Sequence, residues 1–89
     1  MIDERTRMEA IVLCQYAALD PEEYGPVQYD QVRIDGVRFS EGAINLAYNV
    51  WFAVHAAVNT EDWSRVQVEA ECAALLANGW CLGDEIRLL

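Results

Sequence analysis

Apolar residues recur along this chain at two different periods, and the changes of period mark its elements. From residue 3 to residue 19, Ala10, Ile11, Leu13, Cys14, Ala17 and Ala18 follow helical spacing, which predicts a first helix. Asp3 and Glu4 stand at its start, where negative charge complements the helix dipole. Asp20-Pro21-Glu22-Glu23 has the order of a new helix cap, and Gly25-Pro26 ends that helix after about a turn. The period then shortens to two. Val32-Arg33-Ile34-Asp35-Gly36-Val37-Arg38-Phe39 alternates around Asp-Gly, the pair suited to a two-residue hairpin turn. That register pairs Ile34 with Val37 and Val32 with Phe39 on one face, and sets Arg33 opposite Arg38 on the other. Two facing guanidinium groups repel, so an acidic neighbour is expected beside them, either Glu41 or another residue of this chain or an acidic strip of a second copy. Val27 and Tyr29 are out of phase with Val32, which implies a bulge or loop between them.

Helical spacing returns after Ser40, an N-cap for a second helix reaching about Val58. Ala43, Leu46, Ala47, Val50, Ala53, Val54 and Ala57 fall on one side of its wheel. Glu41, Asn45, Tyr48, Asn49, Phe52, His55 and Asn59 fall on the other, with Trp51 at the margin. Asn59 or Thr60 is the expected cap of a third helix. Its main stripe is Trp63, Val66, Ala70, Ala73 and Ala77, and Val68, Cys72 and Leu75 form a second. Asn78-Gly79 stops that helix. Trp80–Leu82 and Glu85–Leu89 then read as short strands. The expected fold class is α+β: three helices packed on a small antiparallel sheet made of the 32–39 hairpin and a C-terminal strand at about 85–89. A mainly helical bundle is the alternative.

Composition narrows the picture. Residues 1–89 form one domain, because a second core would not fit in this length. Fifteen acidic residues against six arginines, with no lysine, give a formal net charge of −9, while 54% hydrophobic residues exclude a disordered chain. Eight acidic residues lie in 1–40 and seven in 41–89, so the charge surrounds one core and forms no tail. Direct binding to nucleic acid or to an anionic membrane needs Lys and Arg, and is not expected. The longest charge-free run, 42–60, is broken by Asn45, Asn49, His55 and Asn59, unlike a membrane span. The charged start Met1–Arg7 with no apolar stretch at leader spacing, together with three widely spaced cysteines, points to the cytoplasm.

Motifs for chemistry are lacking. Cys14, His55, Cys72 and Cys81 form no CxxC or HxxxH pair, so no metal site and no cofactor are expected, and buried thiols are the simpler reading. Ser40 and Ser64 stand at helix starts, where capping accounts for them. No phosphate-binding loop, nucleophile elbow or dinucleotide fingerprint occurs. A nucleophilic Cys paired with His55 would want an electropositive setting that this charge balance opposes, so the chain is not expected to be an enzyme.

Two surfaces remain as candidates for partner binding. Asp20, Glu22, Glu23, Tyr24, Tyr29 and Asp30 interleave carboxylates, which accept the forked donors of arginine, with rigid aromatic rings. Asn45, Tyr48, Asn49, Phe52 and His55 on the second helix make a secondary interface, where large rings stand among polar groups. The expected function is therefore a small acidic inhibitor that occupies the basic surface of a nucleic-acid-handling protein, competing for its Arg and Lys. Anti-CRISPR proteins of phages and mobile elements and the immunity proteins of nuclease toxins work in this manner. The likeness is one of size, charge and lack of catalytic motifs, and no residue motif carries a family resemblance. A self-associating adaptor or structural subunit, such as a homodimer, is the alternative.

Overall fold

The computed structural model describes residues 2–16, 33–34 and 37–87. Its elements are helix α1 (Glu4–Tyr16), strands β1 (Arg33–Ile34) and β2 (Val37–Arg38), helix α2 (Glu41–Ala57) and helix α3 (Arg65–Ala77). Each helix begins on a side chain that satisfies an otherwise unpaired backbone N–H. Asp3 Oδ1 accepts from Thr6 N at 2.7 Å, and this bond holds the Asp3 carboxyl below the usual carboxylate range. Ser40 Oγ accepts from Ala43 N at 3.2 Å, and Ser64 Oγ from Gln67 N at 3.1 Å.

The α+β expectation is overturned. Strands β1 and β2 pair antiparallel in the anticipated register, Arg33 with Arg38 and Ile34 with Val37, but the ladder is two residues deep and forms no layer. Helix packs on helix instead, as in a small bundle. The broadest contacts are those of α1 with α3 and with α2. The two C-terminal strands are also absent among the described residues. Asp84 N donates to Cys81 O at 3.0 Å, and Gly83 has the positive φ (93°) that the third position of a type II turn requires. Cys81 N donates to Asp84 Oδ2 at 2.8 Å and Trp80 Nε1 to Asp84 O at 3.2 Å. Backbone groups that a strand would offer to a neighbour are spent inside this turn, and Ile86 lies against the core without a ladder.

Helix α3 starts later than Asn59 or Thr60. Asn59 Oδ1 accepts from Glu61 N at 3.0 Å and Trp63 N donates to Thr60 O at 3.0 Å, so a tight turn occupies 59–63 before Ser64 caps the helix. Its other end is the one anticipated. Gly79 at φ 96° donates to Leu76 O (3.1 Å), and Trp80 N donates to Leu75 O (3.0 Å), a Schellman stop with Leu75 and Trp80 both buried.

The core is built from Ala10, Leu13 and Cys14 of α1, Ala43, Ile44, Leu46, Ala47, Tyr48, Val50 and Val54 of α2, Val68, Cys72, Ala73, Leu75 and Leu76 of α3, and Trp80. On α3 the stripe carrying Val68, Cys72 and Leu75 faces inward, whereas Val66, Ala70 and Ala77 are exposed. On α2 the buried arc is wider than one wheel face, because α1 and α3 both pack against it. It takes in Ile44 and Tyr48 and leaves Ala57 outside.

Arg7 joins the helices at one end. Its Nη1 donates to Leu76 O at 3.0 Å and to Trp80 O at 2.7 Å, and its Nη2 contacts Cys81 Sγ at 3.1 Å. Nearby, Ser40 Oγ donates to Glu9 Oε2 at 3.0 Å, and a Cβ built on Gly42 would stand 3.6 Å from Thr6 Cγ2. The start of α1, the start of α2 and the end of α3 thus share one end of the bundle. Replacing Arg7 by Met is expected to cost about 2 kcal/mol, because two part-buried carbonyls lose a charged donor. Urea denaturation checks the loss, and faster amide exchange at 79–80 than in the core of α2 locates it.

Candidate protein interface

The residues expected to form the primary binding loop, Asp20, Glu22, Glu23, Tyr24, Tyr29 and Asp30, lie outside the described residues. The secondary set on α2 is described, and the fold divides it. Asn45 is exposed, Asn49 and His55 are half-buried, Phe52 is 49% exposed, and Tyr48 is buried at 9%. Tyr48 was expected on the solvated side. It lies on the strip Ile44, Tyr48, Trp51, His55, which passes from full burial at Ile44 to half-burial at Trp51 and His55.

Aromatic contacts continue along that strip. The Tyr48 and Phe52 ring centroids are 6.4 Å apart, Trp51 meets Phe52 edge-on at 5.3 Å, and Trp51 and His55 stand 4.0 Å apart. Such pairs stabilise one another by about 0.5–1.5 kcal/mol beyond the area they bury. His55 is fixed further by Thr60, whose Oγ1 is 2.6 Å from Nδ1, while its Nε2 is buried without a hydrogen-bond partner. Trp51, left at the margin by the wheel, is thus the ring that joins Phe52 to His55. Its spacing of four from His55 was the signal available in the sequence. No cysteine hydrogen-bonds the His55 ring: Nδ1 meets Thr60 and Nε2 has no partner, while Cys81 is held at Arg7.

Charge frames this strip. Helix α2 carries no Arg or Lys. Glu41 stands exposed at its first turn, and Glu61 and Asp62 stand exposed just beyond Thr60. Among the described residues no charged side chain is buried. Ion pairs there join Arg5 to Glu9 (3.7 Å), Arg65 to Glu69 (2.7 Å) and Arg87 to Glu85 (3.8 Å). All are local in sequence and wet, worth about 0–1 kcal/mol each. Arg38 is exposed and pairs with none of the described carboxylates, so the acidic neighbour expected for the hairpin is not found there. At the shared end of the bundle, Asp3, Glu4 and Glu41 add to Asp84 and Glu85. An open groove of about 700 Å³ runs along the end of α3 there, with Glu71, Leu75, Trp80, Asp84 and Glu85 among its walls. The described residues bring together no three His, Cys, Asp or Glu side chains able to hold a metal ion, and none of the described helices is long and apolar enough to cross a membrane.

The two aromatic neighbours should separate on truncation. Tyr48→Ala is expected to cost about 3 kcal/mol by opening the core, and Phe52→Ala less than about 1.5 kcal/mol, both measured by urea denaturation. The chain matches no protein-family model, no curated protein and no solved structure.

Proposed function

We propose that this chain is a non-catalytic binding protein that blocks a basic, nucleic-acid-handling protein, its carboxylates meeting the Arg and Lys that would otherwise hold phosphates. The observation that supports this reading is the state of the acidic groups. Every described carboxylate is exposed or half-exposed, and Asp3, Glu4, Glu41, Glu61, Asp62, Glu71 and Asp84 stand outside the three ion pairs. The described surface therefore carries more carboxylates than guanidinium groups, an excess that steers a cationic partner and repels nucleic acid. The half-exposed Trp51, Phe52 and His55 supply what carboxylates lack, a dehydrated centre with acids at its rim.

The test is affinity capture on the immobilised chain, eluted with a salt gradient. A basic nucleic-acid-binding protein is expected, weakened at least about tenfold between roughly 0.05 and 0.3 M salt and displaced by DNA. The pair Glu61→Lys with Asp62→Lys, and separately Glu22→Lys with Glu23→Lys, identify which acidic segment carries the contact by which of them abolishes retention. Salt-insensitive retention, or retention unchanged by both pairs, overturns the reading.

Self-association is the second reading, favoured by the exposure of Phe52 alone. It requires a dimer or larger species in sedimentation that Phe52→Asp returns to monomer. A monomer at high protein concentration removes it.

A further inference from the structure

The open groove of about 700 Å³ along the end of α3 is walled by Glu71, Leu75, Trp80, Asp84, Glu85 and Arg87. Leu75 and Trp80 belong to the core and give the groove an apolar wall, while its charged residues stand at the surface. The fold fixes much of this lining. Trp80 N donates to Leu75 O in the helix stop, and the turn pins Asp84. Its Oδ2 accepts from Cys81 N at 2.8 Å, and its carbonyl accepts from Trp80 Nε1 at 3.2 Å. Glu71 is half-buried, yet none of the ion pairs among the described residues includes it. Helical spacing offers it no cation, since Gln67 stands one turn before it and Leu75 one turn after. Glu85 meets Arg87 at only 3.8 Å, with side chains 85% and 87% exposed, a contact that water screens. Carboxylates therefore outnumber the single, loosely engaged guanidinium in this groove.

We propose that this groove is a docking site for an arginine side chain presented by an extended segment of a partner protein. Charge complementarity sets the sign of the occupant, and the mixture of walls sets its kind. An arginine buries its methylene stem along apolar surface while its charged head stays at a polar rim. Here the stem lies against Leu75 and Trp80, and the planar fork of donors meets the carboxylates of Glu71 and Glu85. Lysine brings the same charge as a compact, strongly hydrated ammonium, which matches a carboxylate at one point only. Asp84 adds a negative charge that the turn already holds in place, so binding has less ordering to supply. Gly79 and Gly83 leave the rim open, because a Cβ built on either meets nothing within 4 Å, and a peptide backbone can come close there. The incoming guanidinium takes Glu85 from Arg87. The inference goes beyond the proposed function, since an arginine segment of any protein presents this chemistry.

The experiment titrates the isotope-labelled full-length chain with a blocked Gly-Gly-Arg-Gly-Gly peptide, and with versions carrying lysine or uncharged citrulline at the centre. Amide and indole NMR signals report where each peptide binds. The arginine peptide is expected to shift the Trp80 indole and the amides of residues 79–85 along a saturable curve. It should bind at least about fivefold more tightly than the lysine or citrulline version. Glu71→Gln with Glu85→Gln should weaken it at least about fivefold. Arg87→Gln should tighten it about twofold, because the peptide no longer competes for Glu85, and damage to the fold would act in the opposite direction. If the double Gln variant lowers the thermal midpoint, the sign of the Arg87→Gln change decides instead. The proposal is overturned by shifts spread over the acidic residues of all three helices, by a lysine or citrulline peptide that binds as well as arginine, or by an Arg87→Gln chain that gains no affinity. A saturable arginine complex stands whichever protein the immobilised chain captures, so the groove and the proposed function fail separately.

Discussion

Helix α3 ends with carbonyl groups that its own geometry leaves unpaired, and the way they are satisfied organises the molecule. The Schellman turn at Asn78-Gly79 takes the carbonyls of Leu75 and Leu76, and the guanidinium of Arg7 then bonds Leu76 O and Trp80 O from another helix. A positive charge at this position also faces the negative end of the α3 dipole. Because Arg7 lies one turn inside α1, the same contact sets how far along α3 the first helix sits. The seating of Trp80 over the core follows from it.

That use of Arg7 has an electrostatic consequence. The chain holds six arginines against fifteen acidic residues, and this one is directed at backbone carbonyls. Arg5, Arg65 and Arg87 are engaged in local pairs that water screens. Little positive charge is left to neutralise the acidic side chains at helix starts and turns. The described fold draws its stability from capping and apolar packing, and its carboxylates stay at the surface.

Helix α2 shows how enclosed and exposed side chains divide one element. Its buried arc carries small and branched residues against two helices, and the strip from Ile44 to His55 leaves the core gradually. Trp51 and Phe52 sit where the side chains are held by ring contacts yet still reach water. A rigid aromatic group with half its surface covered loses little entropy on binding, which is why such positions suit an interface.

Local chemistry was legible in the sequence wherever a side chain acts within a few residues of itself. Ser40 caps its helix, Asn78-Gly79 ends α3, and the 33–38 pairing has its anticipated register, because each depends on bonds between near neighbours. Reading Asn59 or Thr60 as a cap failed for a related reason: both local solutions, turn and helix start, suit Asn and Thr, and Ser64 offered a second cap. The C-terminal strands failed because alternation across so few residues does not reveal that Asp84 will consume the backbone donors. The burial of Tyr48 and Ile44 could not be read from a single wheel, since it depends on how many helices pack against α2 and from which directions. Sequence alone therefore determined the three helices, the Ser40 cap, the Asn78-Gly79 stop and the acidic composition. Tertiary structure decided which faces are enclosed and which rings remain outside, because those outcomes depend on contacts between residues far apart in the chain.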